Sequence, residues 1–108
     1  MLQNLERIWP KLDALIVLDQ VSEANCGVVT ARVRERLALL GESDPSKFIL
    51  ADSRERIREF RNVCVKPNAR EGNDIDTIRR NANRTVFLTQ GEAGIRVYRP
   101  EAADAVLI

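Results

Sequence analysis

Residues 65–72 read VKPNAREG, which sets a cation, an amide and a carboxylate (Lys66, Asn68 and Glu71) within one short stretch. The apolar run NVCV precedes them, so the three groups would leave together from the end of one buried strand. A lysine that neutralises a phosphate oxygen, beside an amide and a carboxylate that hold a hydrated magnesium ion, is the equipment of a phosphate site. A second cluster, Thr89, Gly91 and Gly94 in LTQGEAG, follows another apolar run. Glycines at that spacing let backbone N–H groups approach a phosphate; a plain glycine-rich hairpin turn would use them equally well.

Composition removes other chemistries. The 108 residues include no histidine, which takes away the commonest general base and every Ser-His or Cys-His arrangement. Acid-base work would fall to a carboxylate or a lysine. Cys26 and Cys64 form no CxxC pair and cannot complete a structural zinc set without histidine. Cys64 lies between valines, where a small buried hydrophobe is the expected role.

With 17 basic and 16 acidic residues the formal net charge is only +1. Two arginine-dense stretches, RVRER at 32–36 and RERIREFR at 54–61, are interleaved with Glu35, Glu55 and Glu59. Arg32 with Glu35 and Glu55 with Arg58 stand at the i,i+3 spacing that meets on a helix, so these stretches read as solvated helix surface. Aromatic residues, at 5%, are too few for a base-stacking platform, and no nucleic-acid partner is expected. The runs ALIV and AVLI are too short to span a bilayer, and MLQNLERIWPK lacks the apolar stretch of a signal peptide. A cytoplasmic protein with no membrane partner is expected.

The elements that must position the polar clusters follow from the apolar pattern. Leu2, Leu5, Ile8 and Trp9 have helical spacing, stopped by Pro10. ALIVLD at 14–19 and KFILAD at 47–52 are continuous apolar runs ending in an acid, as in parallel strands covered on both faces. Between them Thr30 can cap a helix running to Leu40, with Val33, Leu37 and Leu40 inward and Gly41 as its stop. A short helix with Ile57 and Phe60 inward leads to NVCVK, the third strand. Asp74 can cap a helix that buries Ile75 and Ile78. TVFLT at 85–89 is the fourth strand, QGEAG turns into IRVY as an antiparallel hairpin partner, and AVLI ends the chain as one more short strand. Residues 1–108 thus read as a single α/β domain with a mainly parallel sheet.

Asp19, Asp52, Lys66 with Asn68, and Thr89 each fall at or just past the carboxyl end of a different strand. Right-handed crossovers would gather them along one edge of the sheet, where ligands of such sheets bind. Loops are polar for other reasons too, so this convergence alone leaves a purely structural reading open.

Taken together, the two polar motifs resemble the ribokinase-like (PfkB) carbohydrate kinase family, in which a strand ends in PN-x-x-E and the next ends in T-x-G-x-x-G. Here they stand as Pro67, Asn68 and Glu71, then Thr89, Gly91 and Gly94. DALIVLDQ…CGVVT and FILADSR are similar to earlier segments of the family, and the lysine before the proline matches its phosphosugar kinases. The resemblance implies a three-layer αβα fold, of which this chain is the central portion of one domain. It also implies ATP and Mg²⁺ as cofactors and a sugar or sugar phosphate as substrate. Asn68 and Glu71 would organise the magnesium through its waters, Lys66 would face a phosphate, and Thr89, Gly91 and Gly94 would contact the nucleotide. Asp19 and Asp52 would lie toward the sugar.

The family's D-T-x-G-A-G-D element, whose last aspartate is the base, does not occur in the sequence, nor do its N-terminal sugar-binding strands. A central fragment or remnant of a sugar kinase is therefore expected, inactive by itself, with its exposed sheet edges open to self-association. Two other readings stand beside it. One is a non-catalytic α/β interaction module that kept the fold. The other is a receiver-like phosphoacceptor domain, which would want paired acids after the first strand, where Asp19 is followed by Gln20.

Overall fold

A computed structural model of the chain describes residues 2–19, 30–53, 56–102 and 105–108. Gln20, Cys26 and Glu55, and the 20–29 segment likened above to a family motif, lie outside the described residues. Six strands form one sheet in the order β1-β2-β3-β4-β5-β6. They are β1 (Ala14–Asp19), β2 (Phe48–Ser53), β3 (Cys64–Val65), β4 (Val86–Thr89), β5 (Ile95–Tyr98) and β6 (Val106–Leu107). The first four run parallel; β5 is antiparallel to β4, and β6 is antiparallel to β5. The helices are α1 (Leu2–Ile8), α2 (Ala31–Ser43) and α3 (Ile75–Ala82). The expected sheet, with β1, β2, β3 and β4 ending near Asp19, Asp52, Lys66 and Thr89, is the sheet observed.

Local chemistry explains where the helices begin and end. Thr30 has extended backbone and its hydroxyl accepts from the Val33 N–H at 3.4 Å, the capping role read from sequence. Val33, Leu37 and Leu40 are buried as their spacing requires. The helix does not stop at Gly41, however. It continues to Ser43, and Gly41 is buried inside it because the Asn62 carbonyl occupies the place a Cβ would take. Asn62 holds a left-handed φ of 59°, and its amide donates to the Ala38 carbonyl at 3.2 Å, which locks that close approach.

The expected cap at Asp74 is also corrected. Its side chain caps nothing; it takes an ion pair from Arg58 at 2.8 Å instead. A 3-10 turn over Glu71–Asp74 precedes α3, and the cap lies one turn earlier, on Asn68 and Glu71. The segment bearing Ile57 and Phe60 is a single 3-10 turn over Ile57–Glu59, and both of those side chains are buried. Of the expected i,i+3 pairs, Arg58 reaches Asp74 instead, with Glu55 outside the described residues, and two other arginines, of the RVRER stretch, also reach across elements, Arg34 to Glu59 at 3.7 Å and Arg36 to Glu6 at 2.9 Å.

Successive parallel strands are spatial neighbours, so crossovers of one hand keep every connecting element on the same side. The core bears this out. Leu5 and Trp9, Leu37 of α2, Phe60, and Ile78 of α3 pack with Val17, Ile49, Val65 and Val86 of the sheet. Val17 pairs with Ala51, Ala51 with Val65, and Val65 with Val86, so all lie on one face. The alternate residues face the other way. There Ile16, Leu18, Phe48, Ile95 and Val106 are exposed, and among the described residues no helix covers them. No helix among the described residues is long and apolar enough to cross a membrane.

Candidate functional site

Because β1 to β4 are parallel, their carboxyl ends form one edge, and the polar residues read from the sequence sit along it. The closest juxtaposition is between the two motifs. Asn68, past the end of β3, forms a parallel bridge with Thr89 at the end of β4, and the Thr89 N–H donates to the Pro67 carbonyl at 2.9 Å, with the Thr89 hydroxyl on the same oxygen at 3.3 Å. Pro67 is fully buried and anchors this contact.

Asn68 and Glu71 are locked to each other. The Glu71 N–H donates to Asn68 Oδ1 and the Asn68 N–H donates to Glu71 Oε1, both at 3.0 Å. This is a reciprocal capping box at the entry to the 3-10 turn and α3, with asparagine in the place more often held by serine or threonine. It uses one oxygen of each side chain and leaves the second carboxylate oxygen of Glu71 and the Asn68 amide N–H groups for other work. No cluster of three or more Cys, Asp or Glu side chains able to enclose a metal occurs among the described residues. Magnesium, which keeps several waters and leans on one or two carboxylates and substrate phosphates, is compatible with that half-free donor set through water, not with direct capture.

Lys66 and Asp52 face each other across β2 and β3, with Nζ and Oδ2 3.4 Å apart and both side chains part-exposed. They lie on the face without helices, since the register that pairs Ala51 with Val65 puts their neighbours 52 and 66 on the opposite side. Asp19 does not join them. It is 3% exposed on the helix-covered face, where Ser53 Oγ donates to Oδ2 at 3.0 Å, and Ser53 in turn accepts from the Arg56 N–H at 3.0 Å. Asp19 and Asp52, paired in the sequence reading as sugar-side acids, therefore stand on opposite faces of the sheet. Ser53 was missed; its only signal is the register that sets it opposite Asp19.

Gly91 and Gly94 each have positive φ, 56° and 97°, which glycine tolerates and other residues resist. At Gly94 there is a further reason: a Cβ would collide with the carbonyl of Ile108, whose backbone exchanges two hydrogen bonds with Ile95. The Gly94 N–H is spent on the Gly91 carbonyl at 3.1 Å, closing the turn. Gly91 has open space on its Cβ side. Cys64 is a buried free thiol, and burial pushes its pKa up despite the Thr85 backbone hydrogen bond and the charge of Arg84, the wrong direction for a nucleophile.

Fold and edge together define a small mixed α/β domain with a six-stranded, mostly parallel sheet, whose polar residues gather at the carboxyl ends of the parallel strands. A scan against protein-family models finds no match, and neither the curated proteins nor the solved structures hold one.

Proposed function

We propose that the chain is the central portion of an ATP-dependent carbohydrate kinase of the ribokinase-like type, carrying part of its nucleotide and magnesium site. The observation that carries the reading is the parallel bridge between Asn68 and Thr89, which sets PN-x-x-E and T-x-G-x-x-G side by side at the sheet edge. Phosphoryl transfer needs positioning and charge neutralisation more than covalent chemistry. Lys66 supplies a cation beside a transferred phosphate, moving from Asp52 to do so. The free oxygen of Glu71, with the Asn68 amide beside it, would hold magnesium through its waters. Thr89 and the Gly91–Gly94 turn line the nucleotide. When bound, magnesium would screen the phosphate charges. The family's three-layer αβα architecture calls for a second layer on the bare sheet face.

Among the described residues no carboxylate on this edge is left as a base: Asp19 is buried on Ser53, Asp52 is paired, and Glu71 is held by the capping box with its other oxygen turned to the metal waters. The chain is therefore expected to bind MgATP weakly and not to turn it over, since loss of a positioned base alone costs roughly 10²- to 10⁴-fold. A second reading, a non-catalytic interaction module, is favoured by the capping box, which gives Asn68 and Glu71 a structural reason to be there.

Thermal unfolding with and without MgATP separates the two. At nucleotide tenfold above Kd the kinase reading predicts about 1.4 kcal/mol of stabilisation, dependent on magnesium. Glu71→Gln keeps an oxygen for the capping box but removes the charge, so it should abolish the magnesium dependence while leaving the unliganded Tm in place. No MgATP effect at millimolar concentration would overturn the kinase reading and leave the module.

A further inference from the structure

We infer that the bare face of the sheet is the contact surface for a second copy of this chain, packed sheet against sheet and centred on the Asp52–Lys66 ion pair. Parallel sheets are almost always covered on both faces. Here, among the described residues, every connecting element lies on one side, and on the other Leu18 is 58% exposed and Ile16 64%. The strands are thus built for burial twice and buried once.

The charge pattern of that face selects the occupant. Following the register across the sheet, one row reads Leu18, Asp52, Lys66, Phe87, Val97 and Val106. A single acid and a single base stand side by side in an otherwise apolar row. Such a pair is self-complementary under a two-fold axis running parallel to the strands between β2 and β3. That rotation lays Asp52 over Lys66 of the second copy, and Lys66 over its Asp52. The same axis brings Leu18 over Phe87 of the second copy. An axis one strand further on would bury each charge against an apolar side chain, which is costly. Aligned packing at about 10 Å between sheets is the ordinary geometry for two such faces. In this arrangement the second copy stands where the three-layer architecture would have its other layer, and the contact needs no nucleotide, so the inference does not depend on the kinase reading.

The shared patch is four strands wide, with strands ~4.8 Å apart, and about five residues long, on the order of 300 Å² in plan. That is small for a permanent dimer, so a weak, reversible association is expected. The test is sedimentation equilibrium of the wild-type chain up to about 1 mM, a concentration that populates even a weak dimer, together with Asp52→Lys and Lys66→Asp, alone and mixed. The wild type should dimerise reversibly. Each single reversal sets like charges together across the axis and should be monomeric, while an equimolar mixture of the two should restore a one-to-one heterodimer. Circular dichroism checks that both variants are folded, and Leu18→Lys, which disturbs no buried group, serves as a second monomerising variant. A wild type that stays monomeric throughout overturns the inference. So does a dimer that both reversals and Leu18→Lys leave intact, which would put the contact elsewhere than on the bare face.

Discussion

Val17 and Leu18 are consecutive residues of β1, comparable in hydrophobicity, yet one is 7% exposed and the other 58%. The difference is the face each points to. Val17 meets the layer made by α2, α3 and the Trp9 turn; Leu18 meets none among the described residues. The same division runs through the polar edge. Asp19, beside Val17's face, is buried and satisfied by Ser53, whereas Asp52 is part-exposed with Lys66. The comparison teaches that in this sheet hydrophobicity sets which residues form strands, and the helical layer sets which of them stabilise the fold.

Substitutions on the two faces sharpen this. Phe60 is 1% exposed in the middle of the helix-covered core, and Phe60→Ala should lower unfolding free energy by about 3–5 kcal/mol, read by urea denaturation. A domain of this size has about 5–15 kcal/mol in all, so the loss takes a large fraction of its stability. Gly41→Ala comes next. The new methyl meets the fixed Asn62 carbonyl, and the gain in helix propensity of about 1 kcal/mol offsets only part of an overpacking cost of about 1–3 kcal/mol or more. A neutral or stabilising Gly41→Ala would mean that the Asn62 turn yields easily.

The smallest effect belongs to the bare face. Leu18→Ser should change monomer stability by no more than about 0.5 kcal/mol, measured at concentrations too low for association. A loss of 2 kcal/mol or more under those conditions would show that something already covers this face, and the contrast between Val17 and Leu18 would collapse.

Several features were decided by residues close together in the sequence. Thr30 as a cap, the inward trio Val33, Leu37 and Leu40, the four parallel strand ends and the IRVY hairpin all follow from periodicity, capping and turn chemistry, whose range is a few residues. What the sequence could not show by itself depends on which distant backbone comes near. Gly41 looks like a helix stop until the Asn62 carbonyl, brought from another element, gives glycine a reason to sit inside the helix. Asp74 looks like a cap until Arg58 claims it and the Asn68–Glu71 pair caps one turn earlier. The pairing of Asp19 with Asp52 in one site fails for a similar reason. Both acids stand at a strand's carboxyl end, but Asp19 closes β1 while β2 runs one residue past Asp52 to the Ser53 that aligns with Asp19, and a single residue of offset in a strand reverses the face. Strand runs read as buried on both sides carry no record of which side the crossovers take. Only the order of strands in the folded sheet decided that, because connections of one hand between successive neighbours all fall on the same face.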